Sequence, residues 1–152
     1  MILPDPAPKP ASTRPLSIVL ANAFSIGMLR SGSPGTRHAV QFTLITPEYA
    51  ARMLLHARSA HEAVAEAFGL QGDFRVVSTI RHPATESIAL NILGLSRDQV
   101  EQANSVILEK GMTLFVFLPR WRGGRPPETR DYTAEELSSL AEGVDIWMCS
   151  LI

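Results

Sequence analysis

Leu16-Ser-Ile-Val-Leu-Ala-Asn22 decides the fold class. Its apolar residues run together instead of alternating, the pattern of a strand covered on both faces, and such strands belong to sheets flanked by helices. The segments around it supply those helices. Thr46-Pro47-Glu48 places a capping residue before a first-turn proline and an acid. A helix is therefore predicted from there toward the Gly69 stop, with a break near Ser59 and with Met53, Leu54, Ala57, Val64 and Phe68 as its buried stripe. His82-Pro83 opens a second helix over residues 83–93, ended by Gly94, and the capping box Thr133-Ala-Glu-Glu136 leads a third to about Glu142. A short helical turn is predicted over 96–100, and a turn or helical piece over Ala23 to Leu29. Ser31-Gly-Ser-Pro-Gly35 punctuates the backbone, and His38 to Ile45 then alternates, with Val40, Phe42 and Leu44 on one half-buried face. Phe74 to Ile80 and Val144 to Met148 read as strands, while Val106 to Glu109 and Thr113 to Leu118 read as a β-hairpin through Lys110-Gly111. Strands alternating with helices predict an α/β fold: a single domain over residues 16–152 with a mixed β-sheet flanked by helices and one β-hairpin.

The chain is 152 residues long, enough for one core. Its 14 Lys plus Arg against 15 Asp plus Glu leave a net charge of -1, which argues against a protein that coats long nucleic acid, since such affinity comes from neutralised phosphates. Of the basic residues 12 are Arg, a skew that either base composition or phosphate recognition explains. Residues 1–15 hold five of the eleven prolines and almost nothing to bury, and are expected to form a disordered or extended tail. A lone Cys149 cannot close an internal disulfide, no apolar run reaches the 18 or so residues of a membrane span, and the start lacks a signal-peptide pattern. A soluble, cytoplasmic protein is expected.

The sequence lacks a Gly-rich phosphate loop ending in Lys-Ser/Thr, a dinucleotide fingerprint, a serine elbow and spaced Cys/His pairs, so no metal and no cofactor is expected. His56 and His61 lie about 140 degrees apart on one helical wheel, poor geometry for co-ligands, and are expected at the surface. His38 opens a strand and reads as solvated. His82 differs. It stands where an apolar strand meets a helix N-terminus in Arg81-His-Pro-Ala-Thr85, a place that suits either an N-cap or contact with an anionic phosphate. Pro119-Arg-Trp-Arg-Gly-Gly-Arg125 leaves a central-looking strand, and its guanidinium groups either grip phosphate or decorate a solvated loop. Asn22 and Ser25, after the first strand, are ligand donors or turn caps.

Taken in order, these pieces form a pattern. Leu20-Ala-Asn-Ala-Phe-Ser-Ile-Gly-Met-Leu29 closely resembles the Leu-x-Asn-Ala-Phe-Ser-x-x-Met-Leu opening of the viral-type ring nucleases, anti-CRISPR proteins of Sulfolobus viruses with cellular relatives beside type III CRISPR loci. His82-Pro-Ala-Thr85 looks like that family's Gly-His-x-Ser/Thr-Thr box, and Ile92-Leu-Gly94 like the close of its next helix. Arg120-Trp-Arg-Gly-Gly124 falls where the family has Arg-Leu-x-Glu-Gly, and Val144-Asp-Ile-Trp147 resembles its last strand. The resemblance spans residues 16–152 with an insertion around 46–72. The sequence departs from the pattern in lacking the family's Glu near Arg122 and Gly123, in carrying Val116 for its Gln and Ser105 for its Arg, and in carrying Arg81 for its Gly.

The resemblance implies a ligand and a reaction. Family members bind cyclic tetra-adenylate, the messenger of type III CRISPR complexes, and cut it without metal to products ending in a 2',3'-cyclic phosphate. It implies His82 as general acid to the departing 5'-oxygen and Arg120 as stabiliser of charge on phosphorus. Asn22, Ser25, Arg81, Thr85 and Arg122 would bind the ligand. A two-fold homodimer suits a symmetric ring, and the insertion would serve as a lid or dimer element. Two alternatives follow from the departures: a non-catalytic sponge or sensor for a cyclic nucleotide, and an α/β scaffold that keeps the motifs as fold features.

Overall fold

Ser17–Ala21 (β1) lies inside a six-stranded sheet, with a neighbour on each side. The computed structural model describes residues 17–29, 39–69, 74–109, 111–127 and 131–151. The expected proline-rich tail 1–15, Leu16, the turn at Ser31–Gly35, His38 and Lys110 fall outside them. The elements follow as Val40–Ile45 (β2), Pro47–Phe68 (α1), Arg75–Ser78 (β3), Pro83–Leu93 (α2), Glu101–Gln102 (β4), Thr113–Trp121 (β5), Ala134–Leu140 (α3) and Ala141–Leu151 (β6). Short 3-10 turns occupy Ile26–Met28 and Arg97–Gln99. Sheet order is β2-β6-β5-β1-β3-β4. β1 is parallel to β3 and β5, β3 to β4, while β6 is antiparallel to both β5 and β2. The described residues thus form one α/β domain with a mixed sheet and three α-helices.

The apolar run of β1 is divided between two faces. Ile18 and Leu20 meet Val76, Phe115, Phe117 and Ile146 under Ala50 and Leu54 of α1 and Ala89, Leu90 and Leu93 of α2. Val19 and Ala21 join Leu114, Val116, Cys149 and Leu108 on the opposite face, against Phe24, Met28 and Val106. Among the described residues no α-helix covers that second face. The segments 22–29 and 103–109 lie over it instead, tied together where the Leu108 amide donates to the Met28 carbonyl at 2.7 Å. Farther out, on β2, β6 and the end of β5, Phe42, Leu44, Leu118 and Trp147 are 45, 56, 40 and 36% exposed.

Local chemistry sets the helix limits. Thr46 caps α1 by accepting from the Tyr49 amide at 3.1 Å, with Pro47 in the first turn, and Gly69 ends the helix at φ 63°. Gly94 ends α2 at φ 67°, a left-handed conformation that costs glycine least. The Thr133 capping box is formed in both directions with Glu136. None of the helices among the described residues is long and apolar enough to cross a membrane.

Five local expectations are corrected. The β-hairpin does not form: Val106 to Glu109 is irregular, because both flanks of β5 are taken by β1 and β6, and Leu108 instead plugs the second face. Phe42 and Leu44 share one face as predicted, but that face is more open than half-buried, with the two residues 45 and 56% exposed. α1 runs unbroken through Ser59, and its Val64 and Phe68 are exposed at 39 and 77%. The inward row is Ala50, Leu54, Ala57 and His61, so His61, expected at the surface, is buried, its ring 6.1 Å from that of Phe74.

Candidate functional site

The sheet presents the ends of three adjacent parallel strands at one edge. Asn22 follows β1, Arg81 and His82 follow β3, and Arg120 lies near the end of β5. In open parallel sheets this carboxyl edge is where ligands bind, because loops there diverge and leave a crevice. The structure brings these predicted residues to one edge but distributes them over both faces of the sheet.

His82 belongs to the helix face and is fully buried. It is the N-cap of α2, with Nδ1 2.8 Å from the Thr85 hydroxyl and 3.3 Å from the Thr85 amide. Nε2 lies 2.7 Å from the Pro126 carbonyl oxygen. A carbonyl only accepts, so Nε2 carries the proton and Nδ1 accepts from Thr85. The Trp121 ring meets the imidazole edge-on at 5.6 Å. The surface N-cap anticipated from the sequence is therefore an interior one, sealed by a loop distant in sequence. Thr85, expected as a ligand donor, is buried with its hydroxyl 2.8 Å from Nδ1 of His82.

Beside this cap lies a polar cavity of about 550 Å³ lined by Ile80, Arg81, Pro83, Glu86, Arg97, Gln102, Ala103 and Asn104. Arg81 reaches across it and donates to the Asn104 side-chain oxygen at 3.0 Å. Glu86, one turn into α2, is buried yet accepts from the Ser78 hydroxyl at 3.0 Å and from the Gln102 amide at 3.3 Å, with Arg97 at 3.8 Å. This carboxylate ties α2 to β3 and β4. Glu86 is absent from the candidates that the sequence singled out, although an acid inside an apolar helix run beginning at His82-Pro83 is a visible signal.

Arg120 occupies the opposite face. Strand alternation puts it in line with Val116 and Leu118, and its register partner is Gly143. Its Nη1 lies 3.9 Å from the Asp145 carboxylate. Arg122 is exposed, 3.8 Å from the Glu142 carboxylate, and its amide donates to the Leu140 carbonyl. Upstream on this face an apolar groove of about 410 Å³ is lined by Asn22, Ala23, Phe24, Phe42, Val116, Leu118 and Trp147, with the Phe24 and Phe42 rings edge to face at 5.0 Å. Asn22 is half-buried at its mouth. Ser25 is exposed and its hydroxyl accepts from the Gly27 amide at 3.1 Å, which is turn-capping geometry. Among the described residues no group of three His, Cys, Asp or Glu side chains is placed to hold a metal ion.

The fold defined by this geometry is a one-sheet α/β domain with helices packed on a single face. Among solved structures it is similar to B116 of Sulfolobus turreted icosahedral virus, with 18% sequence identity, a TM-score of 0.52, and coverage of 88% of this chain and 98% of that one. That likeness is one of fold. No family model matches the chain, and no curated protein matches it.

Proposed function

We propose that the protein is a ring nuclease for cyclic oligoadenylate, cyclic tetra-adenylate in particular, that acts as a two-fold homodimer to switch off type III CRISPR signalling. The observation that supports this reading is that Asn22, Arg81, His82 and Arg120 all lie at or beyond the carboxyl ends of three neighbouring strands, His82 on the helix face of the sheet and Arg120 on the other. They come from three well-separated parts of the sequence, each carrying a motif of the resemblance. In the proposed reaction the ribose 2'-oxygen attacks the adjacent phosphorus as its proton passes to solvent. The new oxygen–phosphorus bond closes a 2',3'-cyclic phosphate, and the bond to the 5'-oxygen breaks. For His82 to act as the acid its Nδ1 first takes a proton from solvent and donates to the Thr85 hydroxyl; the imidazolium then gives its Nε2 proton to the departing oxygen and returns to neutral imidazole, and Arg120 balances the charge that builds on the phosphoryl oxygens. Since Nε2 donates to Pro126 when the loop is closed, the step requires the segment around Pro126 to move away.

That same hydrogen bond favours a second reading, a sponge or sensor that binds the ring without cutting it. A fully buried imidazole with both nitrogens engaged caps a helix well and reaches no ligand. One experiment separates the two. Labelled cyclic tetra-adenylate is incubated with the protein in EDTA, and both bound ring and products are resolved. Cleavage that persists in EDTA and is lost in a folded His82→Ala variant supports the nuclease. Tight binding of an intact ring supports the sponge, and absence of binding to rings of any size rejects both.

A further inference from the structure

Gly143 sits within β6 without a left-handed φ, so its backbone makes no demand for glycine. A glycine inside a strand forfeits packing and adds chain entropy, and it commonly marks a close approach by another group. Here the approaching group is Arg120. A Cβ built on Gly143 would fall 2.2 Å from Nη2 of Arg120 and 3.1 Å from its Cζ, so the guanidinium lies on the bare backbone of the residue it pairs with across the sheet. Asp145, two residues on along the same face of β6, holds a carboxylate 3.9 Å from Nη1. The two side chains are 60 and 46% exposed, so as a stabilising ion pair this contact is screened and weak.

We infer that Gly143 and Asp145 are the positioning residues that aim Arg120 at the phosphate of a nucleotide bound at the carboxyl edge. The inference rests on the ring-nuclease reading for the ligand and on the geometry for the aim. A guanidinium carries five N–H donors. Asp145 faces one end of it and Gly143 leaves it room to lie against the strand, and two-pronged contact with a phosphate takes two of its donors. The carboxylate has a second consequence. A singly charged phosphodiester meets an arginine already partly neutralised, so ground-state attraction is modest, while the extra negative charge of the transition state gains from a donor already in place. Arg122 and Glu142, the neighbouring charged pair at the same end of β5 and β6, add no net charge to this balance.

The test uses the full chain and two readouts. In the absence of nucleotide, the Nε–H signal of Arg120 followed by NMR reports whether the side chain is ordered. It is expected to be ordered in the parent and to lose order in Asp145→Asn and in Gly143→Ala, with Asp145→Glu retaining it. With cyclic tetra-adenylate, Asp145→Asn is expected to bind the ring as tightly as the parent or tighter, yet to cleave it about 10- to 100-fold more slowly, the cost of a misaimed group. Asp145→Glu is expected to recover most of the rate. Unchanged Arg120 order in both Asp145→Asn and Gly143→Ala overturns the inference whether or not the protein cleaves RNA rings. Parent-like cleavage by Asp145→Asn overturns it while leaving the nuclease reading intact. A parent that neither binds nor cuts the ring defeats that reading, and the NMR comparison then decides the positioning roles alone.

Discussion

His82 and Arg120 stand at the same edge of one sheet and are built in opposite ways. On the helix face, His82 is enclosed by the Thr85 hydroxyl, the Pro126 carbonyl and the Trp121 ring, with no polar atom left over. On the other face, Arg120 is more than half exposed, held by one long ion pair and a glycine that stays out of its way. Burial makes each polar contact of His82 costly to lose, whereas solvent makes those of Arg120 cheap to exchange for a ligand's. The comparison separates a residue on which the fold depends from one the fold leaves available.

The largest effect expected from this contrast is on stability. His82→Ala removes the α2 cap, orphans the Pro126 carbonyl and leaves a void beside Trp121, and is expected to cost about 2–4 kcal/mol. Arg120→Ala is expected to shift unfolding by less than about 0.5 kcal/mol. Denaturant titration of both variants would collapse the contrast if the two costs came out alike.

A smaller effect, dependent on pH, sharpens the comparison by showing where the second face is closed. Cys149 is fully buried there, and burial pushes its thiol up to about 11. The unfolded chain begins to release this proton near the ordinary value of 9.0, while the folded chain holds it until about 11, so stability is complete below the lower value and falls between the two. The slope should approach about 1.4 kcal/mol per pH unit and be absent in Cys149→Ala. Unfolding measured from pH 8 to about 11 in both proteins checks it.

The smallest effect is expected where that face is open. Leu44→Ser at the exposed end of β2 should change unfolding by less than about 0.5 kcal/mol, as for an ordinary surface position. A loss several times larger in the same denaturant titration would mean that the exposed apolar residues are covered in solution.

These contrasts also show which features the sequence reveals. α2 was readable from Pro83 to Leu93 because its signals are local: an N-cap with a following proline at one end and Gly94 at the other. β1 was readable from its unbroken apolar run, and the Thr46 cap with its following proline and the Thr133 capping box marked the starts of α1 and α3. The burial of His82 was not readable, since the seal comes from Pro126, whose place above the helix is a tertiary fact. Residues 106–109 have strand composition but lie irregularly across the second face, because β5 had no free flank to offer them. β4, only Glu101 and Gln102, has no apolar signature and is defined by pairing alone. At the candidate site, the residue types at Asn22, Arg81, His82 and Arg120 were legible, but the face each takes and the support from Asp145 and Gly143 depended on sheet register.

The central place of β1 also bears on how the chain is made. Ser17 pairs with Arg75 and Ile18 with Thr113, so the strand emerges from a ribosome long before either neighbour exists. For that interval Ile18-Val-Leu-Ala21 is an apolar segment with two unpaired edges, prone to association with other nascent chains. Only when β5 follows can both sides close, and pairing across such sequence separation is intrinsically slow. The most buried strand of the finished domain is thus the one exposed longest during synthesis, and holding it apart until the last third of the chain appears is the step at which a chaperone has most to contribute.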